Sequence, residues 1–302
     1  MSAGGLALPT RQPAPSSSPS RAARVLAFPL TRVVLAAFVV VLPVVVTMDL
    51  IHLALPRPMR VVWPHLLAAA LCVSAYRVHV LRVEKRAVSE LGRTHAGREL
   101  GRGLLVGGLL LVATVGTVAV LGRYGVNGRN DWTALLAPLA PLILVVVLEE
   151  LLFRGVLFRI VEQSLGSYIA LSLSAVLFGL AHLSNAAVTV LAVGNTAMAG
   201  VLFAAAFMAT RRLWLPMGIH FAWNFLLDAV FSVPLSGHPS SGLLRSTLAG
   251  PDWLTGGAYG VEASVVAFAV ISAASMYLVA LARRRGHIVL PFWHKAQAAG
   301  RG

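Results

Sequence analysis

An apolar run that begins at Ala134 ends in the stretch Leu148-Glu149-Glu150-Leu151-Leu152-Phe153-Arg154. This stretch places two carboxylates and one guanidinium at the end of a segment long enough to lie in a membrane. Ionisable side chains inside a bilayer cost roughly 2.5 to 3.5 kcal/mol each on insertion scales, and they usually mark a functional site or a buried pair. The three charges therefore need partners, and their spacing indicates which ones.

On an α-helix, Glu150 and Arg154 lie four residues apart and share a face, whereas Glu149 lies about 100° further round. The spacing predicts a fixed ion pair between Glu150 and Arg154 and leaves Glu149 as the reactive carboxylate. The same stretch is also compatible with three solvated charges at the membrane end of a span. The stretch alone therefore does not distinguish a functional site from the end of a span.

Composition indicates an integral membrane protein. The chain has 302 residues, of which 58% are hydrophobic and only 12% charged, and its apolar runs approach or exceed the roughly 20 residues that span a bilayer. We predict an all-α polytopic protein of the cell membrane with about eight transmembrane helices. The net charge is +14, and the basic residues lie between the apolar runs. In a membrane protein, basic residues at such positions indicate the orientation of the spans and contact with lipid headgroups. We therefore predict contact with the lipid bilayer and no nucleic-acid partner.

The apolar runs and the basic clusters divide the chain into four regions. Residues 1–27 should be a disordered basic tail in the cytosol, because they are rich in Pro, Ser and Arg without an apolar period. Residues 28–130 hold spans one to three, 131–235 a four-helix core of spans four to seven, and 236–302 an outer loop, span eight and a basic tail. Positive charge in the connector 82–102, at 211–212 and at 283–285 places both termini in the cytosol. The predicted spans are about 28–53, 61–81, 104–121, 133–164, 167–194, 196–210, 214–233 and 263–281.

Two further polar pairs occur in apolar spans. Phe178 and His182 share a helical face in span five, and His220 and Asn224 share one in span seven. A single histidine in a span is more often an interhelical hydrogen-bonding residue than a functional one. Asp228 continues the second face, either orienting the site from behind or facing water at the outer mouth.

Helix lengths predict that these pairs meet the glutamates at one depth. Glu149 and His182 each lie about 25 Å from a turn at Leu165-Gly166, at 1.5 Å rise per residue, so an antiparallel hairpin brings them level. We predict one cavity about 10 Å below the cytosolic surface, with water entering from the cytosol. This depth requires the outer turn of span five at Gly194-Asn195 rather than at Ser184-Asn185.

A carboxylate and two histidines at one level support two kinds of chemistry. Glu149, His182 and His220 could bind one divalent metal, such as zinc, with an open coordination position. The same side chains, with Asn224, could act without metal as a base, a water orienter and an oxyanion-stabilising donor set. A His-Glu-x-x-His helix, typical of soluble zinc proteases, is absent from the sequence. The residues leave both alternatives open.

The motifs Glu149-Glu150-x-x-x-Arg154, Phe178-x-x-x-His182 and His220-x-x-x-Asn224 together resemble the signature of the CPBP family of intramembrane proteases. That family includes CAAX prenyl endopeptidases and bacteriocin-immunity (Abi) proteins. The resemblance covers about residues 133–233, and it identifies the region 131–235 as a catalytic core.

The resemblance implies an intramembrane endopeptidase that cleaves a membrane protein or a lipid-anchored peptide. It implies that Glu149 activates the attacking water and that His182 holds this water or a metal. His220 and Asn224 would stabilise the oxyanion, while Glu150, Arg154 and Phe178 would support the site. The alternative is a non-catalytic membrane protein, an immunity factor or scaffold, that binds a partner through the same polar cavity.

Overall fold

The computed structural model describes residue 25 and residues 28–294. Most of the predicted N-terminal tail, and residues 295–302 of the predicted C-terminal tail, lie outside this range.

The described chain is a helical bundle with one small sheet. Its elements in order are α1 (Pro29–Ala54), α2 (Trp63–Arg82), α3 (Ala96–Val120), β1 (Tyr124–Arg129), α4 (Leu139–Glu150), α5 (Arg159–Leu165), α6 (Ser167–Ala181), α7 (Val190–Thr210), α8 (Trp214–Phe225), β2 (Leu244–Leu248), α9 (Asp252–Thr255) and α10 (Val265–Arg284). Short 3₁₀ turns span Arg57–Arg60, Ser89–Leu91, Trp132–Leu135, Gly257–Tyr259 and Val261–Ala263.

Within the described residues, six helical segments are long and apolar enough to cross a membrane: α1, α2, α3, the continuous segment Trp132–Leu165, α7 and α10. The predicted class, a polytopic helical membrane protein, is therefore confirmed. The count of eight is not confirmed, because α6 has 15 residues and α8 has 12, or 17 with its π-helical continuation Leu226–Val230, fewer than the roughly 20 of a full span.

The segment that carries the two glutamates is composite. After α4 the chain forms a π-helical stretch, Leu151–Phe158, and then α5. The predicted continuation to residue 164 and the turn at Leu165-Gly166 are confirmed, since Gly166 adopts a φ of 81°. A Cβ there would lie 2.8 Å from Val289 O, so the C-terminal segment packs closely against this turn. Sequence periodicity did not reveal the π-helical stretch, a feature that is frequent at functional sites.

The predicted end of span five is wrong. Helix α6 ends at Ala181, and α7 begins at Val190, so the turn lies where the alternative at Ser184-Asn185 placed it. Asn195 lies inside α7, where its buried side-chain amide donates to Glu262 O at 2.6 Å and Ser264 O at 2.7 Å. The amide that suggested a turn therefore satisfies backbone carbonyls before α10.

The predicted start of span three is also wrong, because α3 begins at Ala96 rather than near residue 104. The added helical turns belong to the basic connector, and Glu99 in this part forms a 2.8 Å ion pair with Arg212. The long connector is thus partly helical and is fixed to the turn between α7 and α8.

Residues 124–129, between predicted spans three and four, and residues 244–248, in the predicted outer loop, form a two-stranded antiparallel sheet. Strand β1 pairs with β2, with Tyr124 opposite Leu248 and Arg129 opposite Leu244. Neither stretch alternates clearly between apolar and polar residues, and the strands lie more than a hundred residues apart in the chain. Local pattern therefore could not predict the pairing.

Small residues hold α8 tightly against α3. A Cβ on Gly107 would lie 2.3 Å from Ile219 O, and one on Gly103 would lie 2.4 Å from Leu215 O. Such glycines let two helix backbones approach closely in membrane proteins. The contact fixes the depth and rotation of α8, which carries His220.

The bundle has two ends of different character. We define the arginine-rich end as the side of the bundle that is formed by residues 82–102, the α5–α6 turn, the α7–α8 turn and residues 283–294. Ion pairs join its parts: Arg159–Glu84 at 2.7 Å, Arg86–Glu90 at 2.7 Å, and Arg211–Glu162. We define the loop end as the opposite side, which is formed by residues 55–62, 121–138, 182–189 and 231–264.

Candidate active site

The structure contains the predicted ion pair at the centre of the bundle. Arg154 Nη1 lies 3.0 Å from Glu150 Oε1, and both side chains are 0% exposed. Arg154 Nη2 also donates to Gly200 O at 3.0 Å. The guanidinium lies 4.7 Å from the ring centroid of Phe178 and 5.0 Å from that of Phe203, within the range of a cation–π contact.

Glu150 has a second contact, which the sequence did not predict. His220 Nδ1 lies 2.9 Å from Glu150 Oε1. An ionised carboxylate only accepts hydrogen bonds, so Nδ1 carries the proton and Nε2 of the neutral ring is an acceptor. Glu150 therefore supports the ion pair and also orients this histidine.

His220 Nε2 faces the other glutamate. It lies 3.8 Å from Glu149 Oε2, too far for a direct hydrogen bond. Glu149 is 21% exposed, in contrast to the fully buried Glu150. Within the described part of the chain, Oε2 of Glu149 has no hydrogen-bond partner. The predicted difference between a paired and a free glutamate is present in the structure.

Aromatic rings fix His220 in place. Phe203 in α7 stacks on the imidazole with a centroid distance of 4.4 Å and an interplanar angle of 16°. Phe178 approaches the same imidazole edge-on at 6.3 Å. Together with Glu150, these contacts leave Nε2 as the accessible nitrogen.

His182 directly follows α6 rather than lying within a span. Its Nδ1 donates to Phe178 O at 2.8 Å, which leaves Nε2 as the other nitrogen. Its ring lies 4.8 Å from the Phe178 ring, which also contacts His220. Phe178, predicted as a support, thus packs between the two imidazoles and under Arg154.

All four side chains predicted as catalytic line one cavity of about 360 Å³: Glu149, His182, His220 and Asn224. Asn224 is 8% exposed and lies one helical turn beyond His220. Asp228 is not among the lining residues and lies in the π-helical end of α8, Leu226–Val230. The two alternatives for Asp228 stay predictions.

Sequence reasoning missed an additional carboxylate in this cavity. Glu262 Oε1 accepts from Trp223 Nε1 at 2.9 Å, and Oε2 accepts from Ser236 N at 2.7 Å. Burial raises the pKa of this carboxyl above its ordinary value. An isolated acidic residue just before an apolar span was the available signal. No sequence signal pointed to Phe203 or Gly200, because small and aromatic residues are common in spans.

The metal predicted at Glu149, His182 and His220 stays a prediction. Among the described residues, no group of three His, Cys, Asp or Glu side chains is placed to hold an ion. Zinc would need its ligand atoms at about 2.0 to 2.2 Å from one centre.

The cavity extends in a different direction from the one predicted. Its lining continues from Glu149 and His182 to Leu235, Ser236 and His238. These three residues belong to the loop end, the side that the charge pattern places outside the cell. The predicted entry of water from the arginine-rich side does not agree with this lining.

A comparison with known families agrees with the motif resemblance. Residues 131–226 match the family model described as Type II CAAX prenyl endopeptidase Rce1-like. The matched segment contains both glutamates, Arg154, His182, His220 and Asn224. No curated protein and no solved structure gives a significant match to the chain. Over residues 131–226, about a third of its length, this polytopic membrane protein is thus similar to the CAAX prenyl endopeptidases, the family that the three motifs resemble.

Proposed function

We propose that the protein is an intramembrane endopeptidase in which Glu149 activates a water molecule for attack on a peptide bond. The observation that carries the proposal is the 3.8 Å separation between Glu149 Oε2 and His220 Nε2. Both atoms are acceptors when His220 is neutral, so they do not bond each other directly. One water can donate a hydrogen to each of them, which places its oxygen between the two side chains.

Glu149 suits the role of general base. It lines the cavity, whereas Glu150 is neutralised by Arg154. A carboxylate within hydrogen-bonding reach of a water can accept its proton as the oxygen attacks a carbonyl carbon. His220, held by Glu150 and Phe203, orients the same water.

The remaining groups supply the other steps. Attack forms a C–O bond and moves the carbonyl electron pair to oxygen, where the Asn224 amide can donate a hydrogen bond to the oxyanion. Collapse of this intermediate breaks the C–N bond, and Glu149 transfers its proton to the leaving nitrogen. The products are a carboxylic acid and an amine. His182 lines the same cavity, and because its Nδ1 donates to Phe178 O, the Nε2 of the neutral ring can accept a hydrogen bond from a backbone N–H of the substrate.

The substrate would be a membrane protein or a lipid-anchored peptide. The cavity walls are largely apolar, with Leu142, Val145, Leu202 and Ile219 among the lining residues. Such walls accept apolar side chains next to the cleaved bond. The alternative, a non-catalytic binding protein, uses the same walls but does not need a free carboxylate beside an oriented imidazole.

The test compares membrane proteomes from cells that express wild-type protein, Glu149→Gln or Asp49→Asn. Asp49 is an exposed carboxylate in α1, outside the cavity, and serves as the matched control. We expect specific C-terminal fragments with the wild type and Asp49→Asn that disappear with Glu149→Gln. Fragments that persist in Glu149→Gln at equal expression would favour the binding protein instead.

A further inference from the structure

We propose that the turn of residues 235–238 is a substrate-positioning wall of the cavity, and that Glu262 is the positioning residue that holds this turn. This role rests on the proposed peptidase function and adds the place where the cavity holds the residues next to the cleaved bond. The turn and Glu262 both lie beyond residue 226, where the match to the family model ends. They belong to the part of the chain that the matched segment does not cover.

The turn is a tight reversal of the chain. Leu235 N donates to His238 O at 3.0 Å, and His238 N donates to Leu235 O at 2.9 Å. The two residues between them both have positive φ, 50° at Ser236 and 84° at Gly237. Type I′ turns have this pattern and favour Asn, Asp or Gly at both central positions. Glycine adopts a positive φ freely, whereas serine needs contacts that stabilise it there.

Glu262 provides these contacts. Its Oε2 accepts hydrogen bonds from Ser236 N at 2.7 Å and from Ser236 Oγ at 3.0 Å. Its Oε1 accepts from Trp223 Nε1 at 2.9 Å, and its backbone carbonyl accepts from the Asn195 side chain at 2.6 Å. One residue thus fixes the turn to α8 and to α7. Trp223 directly precedes Asn224, the proposed oxyanion donor.

The contacts of Glu262 lie in the wall of the cavity. Glu262 and its three partners all line the cavity that contains Glu149, and Leu235 and His238 from the turn line it as well. A peptide bound beside Glu149 therefore meets the turn with the residues that flank its cleaved bond. Because the proposed water is held by Glu149 and His220, displacing the turn should weaken substrate binding more than it slows the attack.

Steady-state kinetics test this role. The probe is an internally quenched peptide that spans the bond identified in the membrane-proteome comparison. Glu262→Gln replaces one acceptor oxygen with an amide group, which cannot accept a hydrogen bond from Ser236 or Trp223. We expect KM to rise about ten-fold with kcat within about two-fold of the wild type, because the lost contacts act on bound substrate and transition state alike.

A matched control separates this role from general stabilisation. Glu162 also accepts a hydrogen bond from a serine, Ser167, but it lies at the arginine-rich end. Glu162→Gln should lower the melting temperature and leave KM unchanged. Ser236→Ala, which removes only the Oγ donor, is a milder second variant and should raise KM less than Glu262→Gln. An unchanged KM in both Glu262→Gln and Ser236→Ala would overturn the inference.

A second substitution distinguishes a held turn from direct contact between Glu262 and the substrate. Ser236→Gly allows a positive φ without strain. Added to Glu262→Gln, it should return KM to within about three-fold of the wild-type value, since the turn then needs less support. If the double variant keeps the KM of Glu262→Gln, the carboxylate does not act through the turn and the inference is wrong.

Cysteine labelling tests the turn without turnover. In purified Cys72→Ala protein in detergent, Leu235→Cys introduces a half-buried thiol in the turn. We expect a maleimide to react faster with this thiol when Glu262→Gln is added, and more slowly again when Ser236→Gly is also present. Equal rates with and without Glu262→Gln would overturn the inference. Fragments that persist in Glu149→Gln would instead refute the peptidase function, so the two failures are distinguishable.

Discussion

His220 Nδ1 lies 2.9 Å from Glu150 Oε1, so the carboxylate that pairs with Arg154 also sets the orientation of the imidazole in the cavity. The buried ion pair is thereby coupled to the site. Carboxylates that orient a histidine through its second nitrogen fix both its tautomer and its ring position. Glu149 and Glu150 are adjacent in sequence, but Glu149 lines the cavity, whereas Glu150 contacts Arg154 and His220.

The two glutamates should respond differently to the same substitution. Glu149→Gln should abolish turnover with little change in thermal unfolding, because the partly exposed side chain is not paired to Arg154. Glu150→Gln should lower stability by about 3 to 5 kcal/mol, the cost of leaving one partner of a buried ion pair alone, and should also reduce turnover. Thermal unfolding in detergent measures both variants. Equal losses of stability would contradict this division of roles.

Phe203 should affect turnover more than stability. Phe203→Leu removes the ring that stacks on His220, while Phe207→Leu, one turn further along α7, removes a ring that packs on Phe158. Both exchanges shorten a buried aromatic side chain of the same helix, so they should lower stability by similar amounts. We expect slower fragment formation for Phe203→Leu than for Phe207→Leu at similar melting temperatures. Equal rates would show that stacking does not position the imidazole.

Two glycines of α3 give a matched test of helix packing. Gly107→Ala places a Cβ 2.3 Å from Ile219 O, whereas a Cβ at Gly116 meets no atom within 4 Å. Overpacking costs about 1 to 3 kcal/mol or more, and Gly107→Ala should also displace His220 and lower turnover. Gly116→Ala should be neutral or stabilising by up to about 1 kcal/mol, through helix propensity. Comparable melting temperatures for both variants would contradict the close α3–α8 contact.

Glu84 should make the arginine-rich end sensitive to acid. Burial alone would raise the pKa of this carboxyl, but hydrogen bonds and charge from Arg159 and Arg86 outweigh it and hold the pKa below its ordinary value. The ion pairs stabilise the fold above the unfolded glutamate pKa of about 4.3, and this stabilisation is lost as pH falls towards the lowered folded pKa. Glu84→Gln removes this carboxyl, so its stability should fall less steeply than that of the wild type as the pH drops below about 5, into the range of the unfolded glutamate pKa. An unchanged pH profile in Glu84→Gln would exclude this carboxylate as the cause.

Chelators should leave the proposed peptidase activity unchanged. The three side chains predicted as ligands do not form a metal-binding group among the described residues, and the proposed water is held by Glu149 and His220. Incubation with a strong zinc chelator, followed by dialysis, should give the same fragments as untreated protein. Loss of fragments that zinc restores would show that a metal completes the site.

The sequence by itself determined the membrane class, the three motifs and the pairing of Glu150 with Arg154. These follow from composition and from helical spacing, which act within single segments. It also predicted the turn at Gly166, where glycine permits the positive φ that the chain adopts.

The tertiary structure decided what those segments contact. Asn195 was misread as a turn because an amide in an apolar run gives the same local signal whether it ends a helix or binds carbonyls of another one. The contact of Glu150 with His220, the stacking of Phe203 on His220 and the hydrogen bond of Trp223 to Glu262 all join residues that lie 17 or more positions apart in the chain. Helix rise predicted that Glu149, His182 and His220 meet, and all three line one cavity, but it did not predict the face towards which that cavity extends. That direction depends on which loops pack over the site, and side-chain packing between distant segments leaves no periodic trace in the sequence.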